Sequence, residues 1–168
     1  MPHQHDTLRD AVLLLLRAKG AHPMSLRDIQ HLLKVPPGGK RDLQSLLRRL
    51  CESGDLVRTR GKRFGVSAEM NLAPGRLQMH PDGYGFVVLD EKAGGDVFVK
   101  ARELGGAMHG DRVLVRIEQE IPGGRGPEGS ILRVLTRARA SVVGRIERSG
   151  AYASLTPADP RLTQDVFI

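Results

Sequence analysis

The sequence predicts an α+β multidomain chain: an N-terminal winged helix-turn-helix, an OB-type five-stranded β-barrel, and an incomplete second OB-type barrel. Three observations carry that expectation. Segments with leucines at helical spacing lie before residue 54 and none follows. Five short alternating segments occupy residues 75–135, separated by turns rich in Gly, Pro or Asp. From Ala140 the alternating pattern starts again. The expected domains are 1–72, 73–139 and 140–168.

In the first domain, Leu8, Val12, Leu15 and Leu16 set a helix over residues 7–19, which Gly20 stops. Pro23 marks a turn, Ser25 is an N-cap with Asp28 three residues on, and Leu26, Ile29, Leu32 and Leu33 are the inward residues of a second helix. After the turn at residues 35–39, a third helix over 40–53 buries Leu43, Leu46, Leu47 and Leu50, with the lone Cys51 on the flank of that stripe. Residues 56–60 and 62–66 read as a hairpin around Gly61.

On that plan the third helix and the hairpin, or wing, are the surfaces offered to nucleic acid. Arg41 and Arg48 share a helical face with Arg49 beside it, and Arg58, Arg60, Lys62 and Arg63 crowd the wing. These are candidate phosphate contacts. A solvated basic face, or a wing that docks on protein, remains an open reading of the same residues. Nothing here indicates base-edge readout by this domain.

Residues 67–74 read as a linker. The strands expected beyond it are 75–79, 84–90, 96–100, 112–118 and 129–135. The second and third put Tyr84, Phe86 and Phe98 on strands whose alternation gives Tyr84 and Phe86 one face. The chain has six aromatic residues, so three of them fall in two short segments. Flat rings flanked by Gly, with Lys100 following, suit a sheet that stacks unpaired bases and holds their phosphates. Phe86 or Phe98 taken alone reads equally well as a core aromatic. Residues 142–147, 152–157 and 165–168 echo the first three strands of the barrel. Three strands would leave an unpaired edge and a half-built core, and the expectation is of a barrel cut before closure.

Composition narrows the function. The chain of 168 residues is 40% hydrophobic and 27% charged, with net charge +7. Those values describe a globular protein with a polyanionic partner, most simply RNA or DNA. Residues 1–72 hold 13 Lys and Arg against 7 Asp and Glu, whereas the remainder holds 13 against 12. The basic field therefore belongs to the first domain. The longest apolar run, residues 11–16, is too short to cross a bilayer, so no membrane is expected. A single cysteine excludes an internal disulfide and fits the cytoplasm. No Cys/His spacing suggests zinc, and His3 and His5 belong to the chain end.

The run His80-Pro81-Asp82-Gly83-Tyr84-Gly85-Phe86-Val87 with Asp96-Val97-Phe98-Val99 resembles the cold-shock domains of the bacterial ribonuclease R and ribonuclease II family. Those carry an H-x-x-G-F/Y-G-F strand followed by D-V/I-F-V/I. Gly110-Asp111-Arg112-Val113 is similar to the family's G-D-x-V after a short basic helix, and Glu128-Gly129 to the start of its last strand. The run from Thr59 through Gly65 resembles its N-terminal winged helix, and Val143-Gly144-Arg145 the opening of its second cold-shock domain.

The resemblance implies the N-terminal region of a magnesium-dependent 3′-to-5′ exoribonuclease, in which these domains collect RNA and feed it to a catalytic domain. It implies stacking roles for Tyr84, Phe86 and Phe98 and a phosphate contact for Lys100. For His80, an RNA contact and a turn-stabilising role both stand. One departure is that the first strand carries Leu77, Gln78 and Met79 where cold-shock proteins place an aromatic, which implies a smaller platform.

Two-metal phosphodiester hydrolysis needs several carboxylates converging on the ions. The chain has no Asp-Asp and no Asp-x-Asp. Glu118 and Glu120 form its one E-x-E, read as a solvated face. Asp111, Asp159 and Asp165 read as turn or strand-start residues. No cofactor is expected in this chain, magnesium is expected for the parent enzyme, and the chain alone should be inactive. A free-standing winged-helix/OB regulator is the alternative reading, and Arg125 reads either as an RNA contact or as part of a solvated loop.

Overall fold

The computed structural model describes residues 3–20, 22–90, 95–120, 126–150, 152–162 and 165–167, with side chains described from residue 7 and not at 119–120. The side chains of His3, His5 and Glu120, together with Arg125 and Ile168, lie outside the described residues. The chain divides into two compact units, 1–73 and 74–168.

The first unit is built from leucine stripes. Helix α1 spans His3–Ala18, α2 Leu26–Leu32 and α3 Lys40–Ser53, with the two-residue strand β1, Met24–Ser25, before α2. Val12, Leu13 and Leu16 of α1 pack with Ile29, Leu43, Leu46, Leu47 and Leu50 in one core. Each such buried leucine contributes about 2 kcal/mol. Ser25 and Asp28 form a reciprocal capping box: each backbone N–H donates to the other's side chain, at 3.1 and 3.3 Å. The Ser25 hydroxyl also donates to the Asp28 carboxylate, and this bond is the main cause of that carboxyl's lowered pKa. Helix α3 ends at Gly54, whose φ of +90° is the left-handed conformation that closes helices.

Three details differ from the sequence expectation. Leu32, the last residue of α2, is 48% exposed, because Ile29 and Leu33, four residues apart on one face, take the core side and leave Leu32 on the flank. Strands β2 (Leu56–Arg58) and β3 (Arg63–Val66) pair as expected, but β1 adds to the far side of β3, giving the order β1-β3-β2. The left-handed residue of the β2–β3 turn is Lys62, at φ +55°, next to Gly61.

The second unit holds a closed barrel of five strands: β4 (Leu72–Met79), β5 (Gly85–Leu89), β6 (Val97–Val99), β7 (Arg112–Glu120) and β8 (Pro127–Thr136), in the order β4-β5-β6-β8-β7. β4 begins three residues before residue 75, inside the stretch read as a linker, after Asn71 turns the chain at φ +54°. All neighbouring pairs with a described register are antiparallel except β6 and β8, which run parallel. That crossover is the OB arrangement. A 3-10 turn, Ala101–Glu103, stands where a short helix was expected between the third and fourth strands. Leu77, Val87, Val97, Val99, Val113, Leu114 and Val115 are wholly buried.

Beyond the barrel, β9 (Gly144–Ser149), β10 (Tyr152–Pro157) and β11 (Val166–Phe167) form a separate antiparallel sheet. It leaves Val143, Ile146, Tyr152 and Phe167 largely exposed. No described helix is long and apolar enough to cross a membrane.

Candidate nucleic-acid interface

The β4–β5 connection determines where the rings go. Gly83 takes φ +91°, which a side chain would resist, and its N–H donates to His80 O at 3.0 Å. His80 N–H then donates to Tyr84 O at 2.8 Å, closing a tight turn that brings the His80 and Tyr84 side chains to the same end of the sheet. Gly85 is buried, and a Cβ there would lie 2.8 Å from Leu77 Cδ1 and 3.0 Å from Gln78 O. β5 can therefore press against β4 only without a side chain at 85. The glycines around the rings are a folding requirement.

Inward alternation then sends the rings outward. Val87, Val97 and Val99 take the barrel interior, while Tyr84, Phe86 and Phe98 are half-buried on the outer face. This settles the choice left open by periodicity, because neither phenylalanine is a core residue. Phe86 and Phe98 are directly opposed across β5 and β6, with centroids 5.5 Å apart. Tyr84 meets Phe86 edge-on at 5.8 Å and Phe98 at 5.5 Å. His80 stacks on Tyr84 at 4.5 Å with planes within 8°. His80 Nδ1 accepts from Asp82 N–H at 3.2 Å, so the same ring stabilises the turn. The four rings make one continuous aromatic surface.

Charge on this face is distributed differently from the expectation. Lys100 Nζ sits 2.6 Å from Glu128 Oε2, so its charge is already answered. The face also carries Arg76 and Gln78 of β4, both exposed. Sequence reasoning passed over Arg76 and noted Gln78 only as a missing aromatic.

In the first unit, Arg41, Arg49, Arg60 and Lys62 are exposed and have no partner among the described residues. Arg48 pairs with Glu52 at 2.8 Å along α3. The Arg58 guanidinium lies 6.0 Å from the Phe64 ring centroid, and Arg63 Nη1 donates to Pro23 O at 3.4 Å. The sequence-predicted cations thus lie on α3 and around the β2–β3 turn, with three of the seven engaged locally.

Asp111 is 2% exposed and does more than turn the chain. Its carboxylate accepts from Met108 N–H at 2.9 Å, Ala138 N–H at 2.9 Å and Arg137 Nη1 at 2.8 Å. It ties the segment after β8 to the loop before β7. A second cluster joins the barrel to the β10–β11 connection. Asp159 pairs with Arg139 at 2.8 Å and Arg161 at 2.9 Å, and Arg161 Nη1 lies 3.2 Å from His109 Nε2. The Arg161 bonds hold the Asp159 carboxyl well below the usual range. Burial first, and then the Arg161 guanidinium, hold the His109 pKa below its usual value.

Among the described residues no three His, Cys, Asp or Glu side chains come together as metal ligands.

Comparison with known proteins agrees with this geometry. Residues 75–134 match the family description "Ribonuclease B OB domain". Ribonuclease R of Acidithiobacillus ferrooxidans is 36% identical over 160 residues, covering 95% of this chain and 36% of that protein. Ribonuclease R of Escherichia coli (strain K12) is 31% identical over 169 residues, covering 89% of this chain and 20% of that protein. The chain therefore spans well under half the length of these relatives. Among solved structures, yeast Ssd1, described as a pseudonuclease, is similar with TM-score 0.51 at 14% identity, over 60% of this chain and 18% of that one. At that identity the likeness concerns the fold alone.

Proposed function

We propose, for a chain that belongs to the ribonuclease R family, that its task is to bind RNA and pass it to a catalytic domain outside the residues present here. The observation that carries this reading is the four-ring surface of His80, Tyr84, Phe86 and Phe98, held outward on the barrel while valines fill the interior. Exposed rings on a sheet contribute roughly 1–3 kcal/mol per stacked base and tolerate any sequence, which suits capture of single strands.

On the same reading the barrel is a cold-shock domain. The first unit is a winged helix-turn-helix, supported by three helices followed by a strand pair with a basic turn. Its unpartnered Arg41, Arg49, Arg60 and Lys62 supply long-range attraction for phosphate. The sheet β9–β11 is the opening of a second such barrel, supported by its repetition of the first three strands in order. For the whole protein the reading is a cytoplasmic, magnesium-dependent 3′-to-5′ exoribonuclease, with the hydrolytic carboxylates outside this chain.

Titration of single-stranded RNA against the chain and its Phe86→Ala/Phe98→Ala variant tests the proposal. The variant should lose at least about 2 kcal/mol of binding. Equal affinity of the two proteins would remove the stacking platform from the account.

A further inference from the structure

Strand β4 brings a second kind of chemistry to the aromatic face. Leu77 and Met79 point into the barrel, so Arg76 and Gln78, which alternate with them along β4, point out, and both are exposed. Register places Gln78 opposite Phe86, Phe86 opposite Phe98, and Phe98 opposite Glu128. One row across four strands therefore runs amide, ring, ring, carboxylate. Arg76 stands opposite Val88 and so lies diagonally from Phe86. Neither Arg76 nor Gln78 has a hydrogen bond or ion pair among the described residues, and neither supports the core.

The spacing gives these two side chains distinct reach. Directly opposed residues have Cβ atoms roughly 4.5–5.5 Å apart, and diagonal neighbours lie roughly 7–8 Å apart. A base lying on Phe86 would present its edge to the Gln78 amide beside it. That amide offers a donor and an acceptor in one plane, the pair that matches adenine N6 and N7. Arg76 stands one step farther out, where the nucleotide's phosphate would pass, and its guanidinium is free to bond it. The other cation of the face, Lys100, is held by Glu128.

Resting on the RNA-binding reading above, we infer that β4 is the discriminating strand of this surface: Gln78 reads the edge of the base stacked on Phe86, and Arg76 holds the adjacent phosphate. The missing first-strand aromatic is then an exchange of stacking area for base selectivity.

The test measures binding of oligoadenylate and oligouridylate of equal length to the full chain, across a salt series. The wild-type chain should prefer oligoadenylate about 5-fold. Gln78→Leu should bring the two ligands to about equal affinity by weakening oligoadenylate alone. Arg76→Gln should weaken both by one factor and flatten the salt slope by about 0.7. Equal wild-type binding of both ligands, or a preference that survives Gln78→Leu, overturns the base-edge role. An unchanged salt slope in Arg76→Gln overturns the phosphate role. In each of these cases a loss of binding in Phe86→Ala/Phe98→Ala leaves the platform standing. If the wild-type chain binds neither ligand, or the double variant binds as well as wild type, the platform and this inference fall together.

Discussion

Replacing Glu128 by Gln should tighten RNA binding, because it releases Lys100 onto the aromatic face. In the wild-type protein the Lys100 ammonium lies 2.6 Å from the Glu128 carboxylate, with the two side chains 47% and 26% exposed. Glu128 is the register partner of Phe98, so its charge also faces any phosphate crossing the rings. Glutamine keeps the shape and the strand pairing while removing the charge. An accessible ion pair of this kind is worth only about 0–1 kcal/mol, so the fold should survive. One added phosphate contact on a single strand steepens the dependence of log affinity on log salt by about 0.7. Between 1 M and roughly 0.15 M salt, that slope corresponds to about a 4-fold gain in affinity. Anisotropy titrations of wild type, Glu128→Gln, Lys100→Ala and the double variant, over a salt series, measure it. Glu128→Gln should bind more tightly and with the steeper slope, and adding Lys100→Ala should cancel both. If Glu128→Gln gains nothing, or its gain persists without Lys100, the RNA does not pass over this edge of the barrel.

Two further predictions concern the links between the barrel and the chain beyond β8. Asp111→Ala removes three hydrogen bonds from a carboxylate that is 2% exposed and strands the Met108 and Ala138 N–H donors, while Arg137 keeps its bond to the Gly106 carbonyl. Unfolding of the second unit by urea should then be easier by about 3 kcal/mol. An unchanged midpoint would show that the buried carboxylate is not a structural tie. His109 has a folded pKa below its ordinary 6.5, set by burial and then by Arg161, with Asp159 opposing and Arg139 adding to the shift. The unfolded chain therefore binds the proton more readily. This contribution to stability is complete above 6.5 and is lost as pH falls from there through the folded pKa. Hydrogen exchange in β10 and residues 158–162 should accelerate as the pH falls below 6.5, beyond the intrinsic effect of pH. His109→Asn should show no such acceleration; the same acceleration in that variant would contradict the assignment.

How much of the fold and the ring surface is legible in the sequence depends on the range of each interaction. Local periodicity located the three helices and the inward stripe Leu43, Leu46, Leu47 and Leu50, because a helix displays its buried face within a few residues. Leu32 is the exception, since Ile29 and Leu33 take the core side of α2 and leave it on the flank of the stripe. The strand Met24–Ser25 was invisible because two residues carry no alternation, and its pairing with Arg63 and Phe64 is long-range. Alternation placed Tyr84 and Phe86 on one face without saying which face was solvent. The lack of room at Gly85 and the packing of Val87, Val97 and Val99 decide that point. The Lys100–Glu128 pair is set by a parallel contact between β6 and β8 across 28 residues, so no local motif announces it. Gln78 read as an absence in one dimension, and the register turns it into a neighbour of the ring surface.

The most direct test of the central claim is the binding of single-stranded RNA by Phe86→Ala/Phe98→Ala beside wild type, with circular dichroism to show that the barrel persists. Both rings lie outside the core, so the fold should remain while affinity falls by at least about 30-fold, the equivalent of about 2 kcal/mol. A folded double variant that binds RNA as tightly as wild type would contradict the account.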